Sequence, residues 1–155
     1  RKIEYDFFSP SNKANAILVV DGKEFHVCKE YLGLQSLYFE NLFFMKYKES
    51  SMPKIPLDPI PALTATNFHT LLRVVFRLGE KFDYSNVEFL LGLAQYFQLT
   101  SVTDEIEIFL KASDNMNIER GLLLSDKFKL ATLLYYCMSE LNSCKKIEKL
   151  RETPE

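Results

Sequence analysis

Residues 15–44 read NAILVVDGKEFHVCKEYLGLQSLYFENLFF, and this stretch decides the fold. Its apolar run Ile17–Val20 is rich in β-branched residues, which is typical of a strand buried on both faces. Asp21-Gly22 accepts positive φ at both turn positions, so it predicts a tight hairpin whose returning strand contains Phe25–Val27. The stretch therefore starts as a β-hairpin before its aromatic-rich second half begins.

That second half predicts two helices. Residues 29–33 read as a short helix that Gly33 ends, and Ser36 has the side chain of an N-cap for a helix over about 37–46. Phe43, Phe44 and Met45 are three adjacent bulky residues, and one helix cannot direct all of them inward. At least one of them is therefore expected on the surface, where it would suit a partner site.

One more strand and five more helices follow. Residues 52–61 carry four prolines and could form a polyproline ligand, but Ile55, Leu57 and Ile60 alternate with the prolines and favour an edge strand. Thr64 or Thr66 is expected to cap a helix that extends to about residue 78, where Gly79 ends it.

The remaining helices are defined by capping residues and apolar spacing. Ser85 and Glu88 predict a capping box at the start of one helix, and Thr100 or Ser101 starts the next. After a polar break at 111–117, the apolar spacing predicts helices over about 117–125 and 127–143. The charged tail that follows is expected to fray.

Composition limits the partners that the chain can have. The 155 residues are sufficient for one domain with, at most, a small appended subdomain, and 47% of them are hydrophobic. The net charge is −2 without a basic block, which argues against a nucleic-acid surface. No segment approaches the ~18 uninterrupted apolar residues that indicate a membrane span. We therefore expect neither a nucleic acid nor a membrane as partner.

The cysteines and histidines indicate neither a metal site nor a cofactor. Cys137 and Cys144 lie seven residues apart, two helical turns, which is too far for a disulfide in an intact helix. Reduced thiols fit best, so we expect a cytoplasmic or nuclear protein. With no Cys-x-x-Cys pair and only His26 and His69, a metal site is not expected.

We also expect no enzymatic activity. His26 and Cys28 lie two residues apart, on the same face of a strand, but a nucleophile pair needs a third orienting group and an oxyanion site. The nearby sequence supplies neither. The glycines are scattered and form no phosphate-binding loop.

Together these elements predict an α+β fold, in which a small β-sheet is capped by a helical cluster and followed by a C-terminal helical pair. We divide the chain into an N-terminal arm or linker over 1–13, a main domain over 14–112, a helical extension over 113–145 and a charged tail over 146–155.

In this order of elements the sequence resembles the BTB/POZ family. The residues that carry the resemblance are ILVVDGKEFHVCKEYL, LQSLYFENLFF, NFHTLLRVVF and NVEFLLGLAQYFQLTSVTDEIEIFL. The resemblance covers roughly residues 14–112, and the helices after 117 look like the helical extension that often follows. Each piece is weak alone, and their order and spacing make the match specific.

Within the family the chain looks closest to the BTB region of MATH–BTB proteins, the substrate adaptors of type-3 cullin-RING ubiquitin ligases. Those proteins carry a hydrophobic-x-Glu signature after the second helix, and Tyr47-Lys48-Glu49 matches it. The resemblance implies that Met45, Tyr47 and Glu49 bind the cullin, assisted by a cullin-binding box or BACK-like start within 113–145. A domain outside this chain would bind the substrate. The alternative is that Tyr47 packs on its own domain and Glu49 is solvated.

The resemblance also implies a homodimer. The early helix and the aromatic N-terminal segment would lie at a two-fold interface, for which the candidate residues are Phe7, Phe8, Tyr31, Leu32 and Leu34. The alternatives are an intramolecular core for the helix and disorder for the N-terminal segment.

Three positions depart from the family pattern. Asn15 stands where an aspartate is usual, Cys28 where a histidine is usual, and Leu37 where a proline is usual. Loss of the aspartate makes the role of a corepressor-binding transcriptional repressor less attractive. The rival to the adaptor is a BTB oligomerisation module of a transcription regulator or cytoskeletal protein without ligase activity.

Overall fold

The computed structural model describes residues 4–45, 48–112 and 117–152. Within these ranges the chain is α+β, with three strands and seven α-helices. It divides into two compact units, residues 1–103 (unit 1) and residues 104–155 (unit 2), and the division falls inside the helix Thr100–Ala112.

Unit 1 contains a three-stranded sheet of order β2-β1-β3. In it, β1 (Ala16–Val20) pairs antiparallel with β2 (Lys23–Val27) and parallel with β3 (Ile55–Pro56). Asp21 and Gly22 have φ angles of 54° and 76°, which confirms the predicted hairpin turn. β3 lies at the sheet edge, so the proline-rich segment forms the predicted edge strand.

Strand β1 is fully buried on one face only. Leu18 and Val20 are buried, whereas Ile17 and Val19 on the opposite face are partly exposed. The prediction of burial on both faces is therefore wrong. Side chains alternate along a strand, so only the face that carries Leu18 and Val20 packs fully into the core of unit 1.

Two helices follow the hairpin, α1 (Lys29–Gln35) and α2 (Leu37–Phe44), and a 3-10 helix spans Lys48–Ser51. Gly33 does not end α1 as predicted but lies inside it. A Cβ at this position would be 3.0 Å from the Phe44 ring and 3.5 Å from the Cα of Glu40. Glycine therefore lets α1 and α2 approach closely, a tertiary reason that the local sequence pattern does not reveal.

Ser36 connects the two helices and is buried. Its Oγ accepts the amide N–H of Phe39 at 3.1 Å, which confirms the predicted N-cap of α2. The same hydroxyl donates to the carbonyl oxygen of Phe97. One side chain thus starts α2 and ties it to a distant part of unit 1.

The other helices of the cluster are α3 (Ala65–Val75), α4 (Val87–Tyr96) and α5 (Thr100–Ala112). Thr64 caps α3, since its Oγ1 accepts the amide of Asn67 at 3.1 Å. α3 ends before the predicted residue 78 because Arg77 adopts a left-handed φ of 55°. 

The N-terminus of α4 differs from the predicted capping box of Ser85 and Glu88. Asn86, not Ser85, is its N-cap residue, and the turn before it is organised by Asp83. The Asp83 carboxylate accepts the amides of Ser85 at 2.8 Å and Asn86 at 3.0 Å. A hydrogen bond from the Ser85 hydroxyl, followed by these amide bonds, lowers the pKa of Asp83.

The core of unit 1 contains a cluster of aromatic rings. Phe68 of α3 contacts the rings of Phe25 and Phe97 at centroid distances of 5.1 and 5.9 Å, and Phe39 stacks on Phe97 at 5.1 Å. These four rings are almost completely buried. Rings from β2, α2, α3 and the end of α4 therefore meet in one core.

Unit 2 contains the predicted C-terminal helical pair, α6 (Ile118–Phe128) and α7 (Ala131–Glu152). Asn117 caps α6 by accepting the amide of Glu119 at 2.8 Å, and Lys129 follows it in a left-handed conformation. The buried apolar residues of unit 2 include Ile106, Leu110, Leu124, Phe128, Leu130, Leu133 and Cys137.

α7 extends further than predicted. It continues to Glu152, so the prediction of a frayed tail over 146–155 is wrong for residues 146–152; residues 153–155 lie outside the described residues. The tail reads KIEKLRE, and Lys, Glu, Leu and Arg all have high helix propensity. Charge alone was therefore a poor indicator of fraying.

Candidate protein-interaction surfaces

The N-terminal segment Tyr5–Phe8, called the arm below, is packed on unit 1. The amide of His26 donates to the carbonyl oxygen of Phe7 at 2.6 Å, and the Tyr5 hydroxyl donates to the carbonyl oxygen of His26 at 3.2 Å. Phe7 is completely buried, while Phe8 is about half exposed. The arm is thus an ordered part of unit 1, which differs from the alternative of a disordered N-terminal segment.

The five candidate interface residues divide into three groups. Phe7 and Leu32 lie in the core of their own chain and offer no surface among the described residues. Tyr31 is half-buried, with its hydroxyl donating to the carbonyl oxygen of Val75 at 2.6 Å. Phe8 and Leu34 are exposed. Phe7 and Leu32 can therefore act on an interface only by positioning others, and contact with a second copy stays a prediction for Phe8, Tyr31 and Leu34.

Around Leu34 lies an apolar surface that we call the α1–α2 face, defined by Leu34, Leu37 and Phe44. Their exposed fractions are 85%, 59% and 49%. Leu37 and Phe44 are seven residues apart, hence on one side of α2. Phe44 packs beside Gly33 of α1, next to Leu34, and Lys29 lies 5.8 Å from its ring centroid. The three side chains therefore border a common surface.

The sequence predicted only part of this face. At least one of Phe43, Phe44 and Met45 was expected on the surface; Phe43 is buried, and Phe44 and Met45 are exposed. Leu37 was noted only as a departure from the family pattern. The signal that could have found it is its helical spacing with Phe44, opposite the buried pair Phe39 and Phe43.

The predicted cullin-binding residues are described only in part. Met45 follows α2 directly and is 49% exposed. Tyr47 lies outside the described residues, and for Glu49 the structure describes only the backbone, in the 3-10 helix Lys48–Ser51. Binding of a cullin by these three residues stays a prediction.

A small cavity lies beside α2. It has a volume of about 240 Å³ and is lined by Tyr38, Asn41, Leu42 and Gln98. Burial, followed by the neighbouring Tyr96, raises the pKa of Tyr38 to about 12, so this tyrosine is neutral near pH 7. The cavity is therefore suited to an uncharged side chain with hydrogen-bonding capacity.

Unit 2 has a groove of its own. Its volume is about 530 Å³, and its lining residues are Lys111, Ala131, Thr132, Tyr135, Tyr136 and Ser139. The Glu107 carboxylate accepts the Thr132 hydroxyl and, at 3.2 Å, the amide of Leu133, which fixes the first turn of α7 beside α5. The two tyrosines give the groove a wide contact area that can still form hydrogen bonds.

The departures at Asn15 and Cys28 have a structural role. The Asn15 side chain accepts the amide of Lys29 at 2.9 Å and donates to the Glu30 carboxylate at 2.6 Å, so it holds the first turn of α1. The bond from Asn15 is also the main reason that the pKa of Glu30 is lowered. Cys28 donates to the same carboxylate with an Sγ–Oε2 distance of 3.6 Å. These polar groups organise a helix start.

Metal binding and membrane insertion each need a particular arrangement of residues. In the ranges 4–45, 48–112 and 117–152, no group of three His, Cys, Asp or Glu side chains is placed to hold a metal ion. None of the described helices combines the length and the apolar character that a membrane crossing needs. The features that stand out are apolar surfaces and grooves.

Comparison with known families identifies the fold family. A family model described as BTB/POZ domain matches residues 5–114, which begin inside the arm and continue beyond α5. The chain belongs to the BTB/POZ domain family. BTB/POZ domains mediate protein–protein interaction and dimerisation, so this chain carries a protein-interaction module.

Curated relatives of this BTB/POZ domain occur in Caenorhabditis elegans. BTB and MATH domain-containing protein 45 is 33% identical over 146 residues, covering 93% of this chain and 30% of that protein. BTB and MATH domain-containing protein 36 is 27% identical over 137 residues, covering 88% of this chain and 42% of that protein. The chain thus spans less than half the length of these two relatives.

Among solved structures, the BTB domain of human gigaxonin is similar. The TM-score is 0.50 with 23% sequence identity, over 63% of this chain and 77% of that chain. At this identity the likeness establishes the fold alone. It confirms the predicted BTB/POZ architecture of a small sheet capped by helices.

Proposed function

We propose that this BTB/POZ domain is the non-catalytic scaffold of a type-3 cullin-RING ubiquitin ligase adaptor. It pairs with a second copy through the α1–α2 face and holds the cullin around Met45–Glu49. A substrate-binding domain outside this chain recruits the target. The observation that carries the proposal is the cluster of exposed apolar side chains from Leu34 to Met45, on adjacent helices of one unit.

The α1–α2 face has the composition of an interface centre. Leu34 exposes most of its side chain to water, and an isolated exposed leucine would need no explanation, but Leu37 and Phe44 border the same surface. Lys29 and Glu40 are polar residues close to it. An apolar centre with a polar rim is the usual organisation of a protein–protein interface. A two-fold pairing buries the same patch on both copies.

The cullin contact is supported by position and by the neighbouring cavity. Met45 is exposed at the end of α2, immediately before the Tyr47-Lys48-Glu49 signature. The cavity lined by Tyr38, Asn41, Leu42 and Gln98 uses three residues of the same helix. The groove of unit 2 is a second, separate candidate contact for the same partner. The MATH domains named in the relatives support a substrate-binding domain outside this chain.

A binding assay with the purified N-terminal domain of a type-3 cullin tests the adaptor role. We expect Tyr47→Ala and Glu49→Ala each to weaken binding by about tenfold or more, since an aromatic anchor and a paired carboxylate are typical hot-spot groups. Tyr135→Ala tests the groove of unit 2 separately, and weaker binding there adds that groove to the contact.

Glu24→Ala is the matched control. Glu24 is a partly exposed carboxylate of unit 1 that pairs with Lys54 on the surface, a type of ion pair that contributes little to stability. This variant is expected to bind the cullin domain as the wild type does. Absence of wild-type binding at micromolar concentration contradicts the adaptor role.

The second candidate is a BTB oligomerisation module without ligase activity. The α1–α2 face is compatible with this candidate, because pairing of two copies through that face does not require a cullin. It predicts the same dimer and the same effect of changes in the α1–α2 face, but no binding of the cullin domain. The cullin assay therefore separates the two candidates.

A further inference from the structure

A continuous series of ring contacts connects the arm to helix α1. The Phe76 ring, just after the last residue of α3, lies 5.2 Å from the Tyr5 ring and 5.0 Å from the Phe7 ring of the arm. On α1, the Tyr31 ring lies 4.8 Å from the same Phe76 ring. Phe76 is therefore held between the arm and α1.

Tyr31 fixes how α1 lies on α3. Its hydroxyl donates to the carbonyl oxygen of Val75 at 2.6 Å, directly beside Phe76 in the sequence. α1 has only seven residues and contains Gly33, so it has little stability of its own and depends on tertiary contacts. Asn15 holds its first amide, while Tyr31 provides the anchor on α3. Leu34 lies one turn after Tyr31 on this helix.

We propose that docking of the arm sets the position of α1, and through it the affinity of the dimer, with Phe76 as the positioning residue. The inference rests on the proposed pairing through the α1–α2 face. Removal of the Phe7 ring takes away one wall of the Phe76 site. The Phe76 ring then gains freedom, the packing of Tyr31 loosens, and Leu34 is presented less precisely to the second copy.

Phe7 makes this coupling testable because it is completely buried in its own chain. With the arm docked, its side chain cannot touch a second copy of the α1–α2 face. An effect of Phe7 on dimer affinity must therefore be indirect. The contacts with Phe76 and, through it, Tyr31 supply an indirect route.

The experiment measures the dimer dissociation constant by sedimentation, with urea unfolding as a check that each variant is folded. Phe7→Leu and Phe76→Leu are each expected to raise the constant about tenfold, the value of one aromatic pair. The double variant should have a dimer dissociation constant no higher than the higher of the two single-variant values, since both changes break the same route. Phe76→Tyr keeps the ring and should therefore dimerise with wild-type affinity.

Phe68→Leu is the matched control. Phe68 is a completely buried phenylalanine on α3 whose ring contacts are with Phe25 and Phe97. Its loss should destabilise the unit yet change the dimer constant by no more than about twofold, as expected for an uncoupled site. Equal effects in Phe68→Leu and Phe76→Leu would overturn the inference, as would unchanged affinity in Phe7→Leu. A wild-type chain that is monomeric at every concentration overturns both the dimer and this inference.

Discussion

At the scale of single residues, Ser36 stabilises unit 1 through two hydrogen bonds of its hydroxyl. Its buried hydroxyl accepts the amide of Phe39 and donates to the carbonyl oxygen of Phe97. We expect Ser36→Ala to lower the free energy of unfolding by about 2–3 kcal/mol, because it removes an N-cap and leaves a buried carbonyl without its partner. Urea unfolding followed by circular dichroism measures the change.

Thr64→Ala is the control for Ser36→Ala. Thr64 is also a confirmed N-cap, but it is exposed, and its Oγ1 accepts the amide of Asn67. The loss at this position is expected to be about 1 kcal/mol, the ordinary value of a cap. Equal losses at the two positions would show that the bond from Ser36 to Phe97 adds nothing.

His69 gives the molecule a predictable response to pH. Its ring lies among Phe7, Phe8 and Phe25, and burial, followed by the positive charge of Arg73, lowers its pKa. In the unfolded chain the pKa is about 6.5, so below that pH the unfolded chain binds the proton more readily than the folded chain. Wild-type stability should therefore fall as the pH decreases from 6.5 through the lowered pKa.

The variant His69→Gln isolates this effect from all other titrating groups. The charged neighbours Asp6, Lys23, Arg73 and Glu80 remain in both proteins. We expect the stability of wild type relative to His69→Gln to be constant above about pH 7.5 and to decline towards pH 5, as measured by urea unfolding across that range. A difference that is flat over the whole range, or one that rises on acidification, contradicts the assignment.

Local chemistry explains which residues the sequence could place. Ser36, Thr64 and the pair Asp21-Gly22 were predicted correctly because capping and turn formation depend on a few adjacent residues. Gly33 was wrongly read as a helix end because its reason is the Phe44 ring, eleven positions away. A contact between two elements leaves no signal in a short sequence window.

At the scale of elements, the α1–α2 face gives a direct prediction. Leu34→Asp should raise the dimer dissociation constant about a hundredfold or more, because two-fold pairing would bury two unpaired carboxylates in each dimer. Sedimentation equilibrium over a range of concentrations measures it. Leu34 is so exposed that the fold of the monomer should be unaffected.

Leu123→Asp is the matched control, since Leu123 is a 72% exposed leucine on α6. It should dimerise as the wild type does. If both substitutions weaken the dimer to the same extent, general solubility rather than the α1–α2 face is responsible. If neither does, the dimer forms through another surface.

Helix and strand patterns were more informative about the existence of elements than about their ends. Capping residues and apolar spacing predicted every α-helix of the described ranges but not the 3-10 helix Lys48–Ser51, and α3 is shorter than expected and α7 longer. The end of α3 depends on a left-handed residue, Arg77, that is not a glycine. The predicted interface residues Phe7 and Leu32 are core residues, because periodicity cannot tell the core of one chain from an interface between two.

At the scale of the whole molecule, the family and its fold could be predicted from the order of elements. The hairpin, the two aromatic-rich helices, the edge strand and the later helices occur in the order of a BTB/POZ domain, and the family match over residues 5–114 agrees. Partner choice could not be derived in the same way. It depends on residues such as Tyr47 and Glu49, whose role is implied by resemblance rather than derived from packing.

In the proposed adaptor, two copies would present two cullin contacts and two substrate-binding domains in one assembly, which would raise the effective concentration of the ligase at the substrate. Its function would depend on the surface that each copy offers, and the candidate contacts are Leu34, Met45 and the grooves of the two units.

The most direct test of this account is the solution mass of the wild-type chain, alone and with the N-terminal domain of a type-3 cullin. The account predicts the mass of two chains alone and of two chains with two cullin domains after mixing. A mass of one chain at every concentration, unchanged by the cullin domain, would contradict it.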